Sequence, residues 1–222
     1  MLGIDIDVFL YRFSVAVIPV LFAITVHEVA HGWVARQFGD PTAERAGRLT
    51  LNPLKHIDPI GTVAVPLLLL VTGSPWLFGW AKPVPVMFQN LRNPRRDMIV
   101  VAAAGPASNL AMAMGWAAFA ASAPPLLGLG ETAAEWVYGA CVWGIAINVI
   151  LAVFNMLPIP PLDGGRVLAG LLPPQQARIL HRIEPYGFMI VLMLMLSNVL
   201  WPLINPIRFF FIDFFWSVAG FG

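Results

Sequence analysis

Long apolar stretches without Asp, Glu, Lys or Arg dominate the chain and predict its elements. Residues 59–81, 98–130, 136–162 and 185–207 hold none of these four types, and in residues 13–35 the ionisable groups are confined to His27, Glu28 and His31. A bilayer core of about 30 Å takes about 20 helical residues, and all five stretches are long enough. Four read as good helices. The second, 59–81, is interrupted by Pro66, Gly73, Pro75 and Gly79, which break helical hydrogen bonding. Between the fourth and fifth stretches, Ala177, Leu180 and Ile183 share one face and Arg178 and Arg182 the other. That pattern suits a short helix lying on a membrane surface.

Basic residues orient these stretches. Arg36, Arg45, Arg48 and Lys55 separate the first two, Lys82, Arg92, Arg95 and Arg96 the second and third, and Arg166, Arg178 and Arg182 the last two. The third and fourth are joined by a segment with Glu131 and Glu135 and no basic residue. Cytoplasmic loops collect Lys and Arg, so the Glu131 loop faces outward and the other three inward. Both ends of 59–81 then face the cytoplasm, which one crossing cannot achieve. The stretch is expected to re-enter or to form a broken hairpin, buried in protein or lining a wet cavity. The predicted fold class is an all-α polytopic membrane protein with about four to six transmembrane segments and a re-entrant or irregular β-like insert. Residues 1–222 are expected to form a single domain.

Composition narrows the function. The chain is 59% hydrophobic and 11% charged with a net charge of +1, against about 25% charged in soluble domains. Disorder, nucleic-acid binding and ordinary cytosolic enzymology are excluded on that ground. The lone Cys141 lies in an apolar stretch and supports neither an internal disulfide nor a thiolate cluster. Asp5 and Asp7 near the start do not read as a cleaved signal peptide. Most of the eight tryptophans fall near stretch ends, where interfacial anchors sit.

The chemistry starts in the first stretch. Ionisable groups inside a membrane are costly and point to function, and here three stand together in His27-Glu28-Val29-Ala30-His31. Residues i and i+4 share a helix face, so the two imidazoles can bind one zinc, with Glu28 placed to take a proton from water. A catalytic zinc usually has a third protein ligand. Asp163 is a candidate, in Asn155-Met156-Leu157-Pro158-Ile159-Pro160-Pro161-Leu162-Asp163-Gly164-Gly165. The prolines end the fourth helix, and the glycines permit tight turns behind the aspartate. A plain helix-capping aspartate is the alternative. The predicted topology favours a ligand, because the first and fourth stretches both end on the cytoplasmic side.

With HEVAH in a first membrane helix and NMLPIPPLDGG closing a later one, the chain resembles the site-2 proteases, intramembrane zinc metalloproteases of peptidase family M50. Gly79-Trp80-Ala81-Lys82-Pro83-Val84-Pro85 and Ala104-Gly105-Pro106-Ala107-Ser108-Asn109 also resemble landmarks of that family. The likeness is to its short prokaryotic form, without PDZ or CBS domains. It implies that His27, His31 and Asp163 bind one Zn2+ per chain and that Glu28 is the general base. It also implies that Asn155 stabilises the oxyanion, against the alternative of an interhelical hydrogen bond. The implied activity is an endopeptidase cutting in or near transmembrane segments of membrane-protein substrates. The implied setting is the lipid bilayer of a bacterial cytoplasmic (inner) membrane, with the active site toward the cytoplasm and no nucleic-acid partner. A zinc or proton transporter is the competing class, since intramembrane His/Glu/Asp clusters also mark ion paths.

Asn109 and Asn148 are expected to join helices, with Asn109 able to line the site, and the small Gly105, Ala107 and Ser108 to permit close helix approach. His56 is expected at the cytoplasmic interface. Residues 79–86 are expected either to offer Lys82, Val84 and Val86 as a donor edge that pairs with an unwound substrate, or to form a rigid proline-rich turn.

Overall fold

The computed structural model describes residues 6–72, 79–128 and 130–221, with no side chain described at 70 or 123–127. Asp5, Gly73 and Pro75 lie outside the described residues. Nine α-helices follow in order among those described: α1 (Ile6–Gln37), α2 (Thr42–Arg45), α3 (Val65–Val71), α4 (Pro94–Leu127), α5 (Glu131–Asn155), α6 (Asp163–Leu171), α7 (Pro174–Ile183), α8 (Gly187–Leu196) and α9 (Leu200–Ala219). Four helical stretches are long and apolar enough to cross a membrane: Ile6–Gln37, Pro94–Ser122, Glu131–Asn155 and Pro174–Leu196. The protein is an all-α, multi-pass membrane protein.

Helices α1, α4 and α5 pack on one another, α9 lies against α4 and α5, and α6 lies against α4. Small residues bring the backbones together, as membrane helix contacts require. Ala113, Ala117 and Ala120 of α4 meet Cys141, Ile145 and Val149 of α5 in one buried cluster, completed by Leu200, Ile204 and Phe215 of α9. The outward faces carry Phe22, Phe119, Phe210 and other apolar side chains, which lipid solvates without penalty.

The interrupted stretch folds back on itself. Asp58 caps its first turn, Oδ1 accepting from the N–H groups of Ile60 at 3.0 Å and Gly61 at 2.7 Å. A π-helical turn, Pro59–Ala64, leads into α3. The chain reappears at Gly79 beside the point where it left. Trp80 N–H donates to Gly61 O at 3.1 Å and Lys82 N–H to His56 O at 2.9 Å, while Thr62 Oγ1 donates to Trp80 O at 2.8 Å. The two ends of the stretch are therefore paired, as a re-entrant path requires. Residues 79–87 join no helix, turn or sheet among the described residues.

Two expectations change. The last stretch is two helices, α8 and α9, with Asn198 at φ 57° between them. Asparagine tolerates that left-handed backbone better than most residues, and Pro202 then falls in the first turn of α9, where a missing N–H costs no helical bond. Helix α9 runs on through Arg208 and Asp213, which a search for uncharged stretches cuts short. Helix α7 forms as expected, but Ala177 and Leu180 pack on Ala35, Leu91, Met98, Val101 and Ala169. Two of the three residues on its apolar face thus meet protein.

Candidate metal centre

Three side chains from two distant parts of the chain converge. His27 Nε2 and His31 Nε2, one turn apart on α1, are 3.1 Å apart, and each lies 3.2 Å from Asp163 Oδ2. Hydrogen bonding at the far side of each ring fixes which nitrogen carries the proton. Asn109 Nδ2 donates to Ala23 O at 3.1 Å and to Asn148 Oδ1 at 2.8 Å. Asn109 Oδ1, 2.5 Å from His27 Nδ1, is thus the acceptor. His31 Nδ1 lies 2.7 Å from Val101 O, which can only accept. Both imidazoles donate through Nδ1, so in the neutral rings both Nε2 atoms present lone pairs. Asp163 Oδ2 is buried and has no hydrogen-bond donor.

Three lone pairs thus face one another at contact distance with no proton between them. Such an arrangement is repulsive unless a cation sits among them. Zinc bonds of about 2.0–2.1 Å in tetrahedral geometry separate ligand atoms by about 3.3 Å, close to the spacings found. The donor set, two imidazoles and a carboxylate, suits zinc. Among the described residues this is the one group of three or more His, Cys, Asp or Glu side chains placed to share an ion.

The elements around the group hold it rigidly. Helix α5 ends at Asn155, and α6 begins at Asp163 with Leu162 as its N-cap. The Asp163 carboxylate makes no capping bond and points to the histidines instead, so the capping alternative fails. Gly164 and Gly165 lie within the first helical turn rather than in a loop turn. A Cβ at Gly165 would sit 2.5 Å from Pro160 N, and one at Gly164 would collide with Met156 O. Their role is close approach of α6 to the proline loop. At the other end of α6, Arg95 donates from Nε to Gly170 O at 2.9 Å and from Nη2 to Leu172 O at 2.5 Å, which satisfies terminal carbonyls. On α4, a Cβ at Gly105 would lie 2.6 Å from His27 Nε2 and nearer still to His31 Nε2. The α4 backbone is thus a wall of the site.

Glu28 does not join the cluster. Its Oε2 accepts from Val84 N–H at 2.7 Å, tying α1 to the return arm of the folded-back stretch. Asn155 turns its amide to its own helix, Nδ2 donating to Leu151 O at 2.9 Å. Among the described residues it makes no interhelical bond. His56 is 2% exposed and lies 2.9 Å by Nε2 from Thr50 O, so it is a buried clasp within its loop. Two of the three donors expected on the edge at residues 82–86 are already taken, Lys82 N–H by His56 O and Val84 N–H by Glu28. Residues 79–86 form no hydrogen-bonded turn among the described residues.

Asn109 and Asn148 are the site residues that sequence reasoning undervalued. Asn148 Nδ2 donates in turn to Gly144 O at 2.8 Å, so a fully buried amide pair from α4 and α5 fixes the His27 ring. Uncompensated amides in apolar helices were the available signal, but their partner is a three-dimensional fact.

Comparison with known proteins agrees with this chemistry. The family profile described as Peptidase family M50 matches residues 122–197, which include Asp163. The chain is 41% identical over 200 residues to YwhC of Bacillus subtilis, covering 86% of each chain. It is 34% identical over 200 residues to Rip2 of Mycolicibacterium smegmatis, covering 87% of this chain and 71% of that one. To Rip2 of Mycobacterium tuberculosis strain H37Rv it is 31% identical over 180 residues, covering 81% of this chain and 66% of that one. All three relatives carry zinc metalloprotease names. No solved structure matches.

Proposed function

The chain belongs to peptidase family M50, and from that premise we propose that His27, His31 and Asp163 are the ligands of its zinc ion and that Glu28 is its general base. The protein is an intramembrane zinc metalloprotease acting on protein substrates. The observation that carries the ligand assignment is the triangle of lone pairs at 3.1–3.2 Å. The three relatives' names are those of metalloproteases, not transporters.

Zinc, when bound, acidifies water and polarises a scissile carbonyl. The chain's own groups do the rest. Asn109 and Val101 hold the imidazoles in the tautomer that leaves Nε2 free. Glu28 takes a proton from the attacking water at its carboxylate and returns it to the leaving amine. Asn155 is the oxyanion donor: at the C-terminal end of α5 it exchanges the Leu151 carbonyl for the developing oxyanion. The substrates are transmembrane proteins cut in or near their membrane segments, a reading supported by the apolar outer surface of the bundle. The basic loops at the ends of α1 and α5 support a site facing the cytoplasm, in a bacterial inner membrane.

The test is Glu28→Gln in purified full-length protein, beside a single-span membrane reporter that the unmodified chain cleaves. Zinc content should stay at that of the unmodified protein while cleavage falls by about 10²–10⁴. Equal loss of zinc, or retained cleavage, contradicts the assigned roles.

A further inference from the structure

We propose that the backbone amide of Val84 is a positioning group for Glu28, delivered by the return arm of the folded-back stretch. This rests on the reading of Glu28 as the base. A glutamate side chain has several rotatable bonds and, exposed on a helix, sweeps its carboxylate over several ångströms. The Val84 N–H takes Oε2 at 2.7 Å. Among the described residues, no protein group donates to Oε1, so this is the oxygen left for a proton.

The amide is itself fixed from both sides. Upstream, Trp80 is bonded at N–H to Gly61 O and at C=O to Thr62 Oγ1. Lys82 is bonded at N–H to His56 O and at C=O to Arg48 Nη2, the latter at 2.7 Å. Downstream, Met87 N–H donates to the buried Asp40 Oδ2 at 2.7 Å. Val84 lies between Pro83 and Pro85, whose rings fix their own φ and hold the preceding residue extended. The residue is 7% exposed and its side chain packs on α1 at Gly32, one turn from Glu28. The arm cannot follow the carboxylate, so the carboxylate is held to the arm. Pro83-Val84-Pro85 is then a preorganised mount for the base.

A latch makes the opposite prediction. If the amide instead withheld Glu28 from water until substrate arrived, removing it would speed cleavage. The experiment replaces Val84 with α-hydroxyvaline in the full-length protein, exchanging the N–H for an ester oxygen and keeping the side chain. On the same single-span reporter, kcat should fall about 10- to 100-fold, as for a misplaced catalytic group, with KM within about twofold and zinc content unchanged. Val84→Pro, which also lacks the N–H, should follow the ester. A second readout needs no turnover. In metal-free protein the Val84 amide proton should exchange slowly, and about tenfold or more faster in Glu28→Ala, where its acceptor is gone. Cleavage by the ester protein at or above the unmodified rate, or exchange indifferent to Glu28→Ala, overturns the proposal. A chain that holds zinc but cleaves no reporter counts against the proteolytic reading instead, and the exchange result still decides the positioning role.

Discussion

The two ends of the HEVAH segment's chemistry are built in different ways. The ligands His27 and His31 are held by regular helices. Buried side-chain amides and a carbonyl from α4 and α5 lock their rings, and the start of α6 brings up Asp163. Glu28, their neighbour in sequence, is held by an irregular arm through a single backbone amide. Metal binding and proton transfer thus depend on separate elements that meet on one helical turn. Damage to the helical side should appear first in metal content, and damage to the arm first in turnover.

Removing Asp163 should have the largest effect. Asp163→Ala leaves two ligands where catalytic zinc usually has three, so zinc content and cleavage should both collapse, as metal analysis beside the reporter assay will show. Full zinc in that variant would break the comparison at its root. Gly105→Ala comes next. The added methyl enters the space of both imidazoles, so zinc binding should weaken while α4 stays helical by circular dichroism. Asn109→Ala should be milder, weakening zinc affinity by about 10- to 100-fold by competition with a chelator, because the ligands remain but the His27 tautomer is no longer enforced.

The smallest effect belongs to the arm's anchor. Asp40 accepts from Met87 N–H at 2.7 Å, Asn90 Nδ2 at 3.0 Å and Thr42 N–H at 3.1 Å, and from the Thr42 hydroxyl. Burial alone would raise its carboxyl, but these donors outweigh that and hold it below the usual carboxylate range. A depressed folded-state pKa contributes stability that is present above the unfolded value and lost as pH falls through the folded one. Asp40→Asn should therefore lower stability by about 1.5–3 kcal/mol near neutral pH. The gap between the two proteins' unfolding midpoints should begin to narrow as pH falls through the unfolded carboxylate value near 4 and should close only below the depressed folded pKa, where the native carboxylate is protonated. A gap that does not narrow at all as pH falls below the unfolded value would remove Asp40 as a charged anchor.

The helical side was largely legible in the sequence. Long apolar stretches marked α1, α4 and α5, and the i, i+4 histidines follow from helix geometry alone. Asp163 could be nominated because the prolines and the charge rule placed it near the same membrane face. The arm was legible in topology only. Basic residues on both sides of 59–81 implied a return path, but nothing in the letters said that Lys82 and Val84 would spend their donors on His56 and Glu28. Those bonds join residues 26 and 56 positions apart, and hydrophobic pattern carries no information about them. The burial of His56 is of the same kind, since its neighbours Lys55 and Ile57 say nothing of its contact with Thr50 O. The break at Asn198 was hidden by the apolar run across it.

The central claim is that the HEVAH helix and Asp163 together hold a zinc ion. Zinc K-edge X-ray absorption on the purified full-length protein tests it most directly. The account predicts one zinc per chain, four-coordinate, with nitrogen and oxygen ligands at about 2.0–2.1 Å and the scattering of two imidazoles, and a loss of that signal in Asp163→Ala. Sulfur at about 2.3 Å, a single imidazole, or the same spectrum in Asp163→Ala would contradict it.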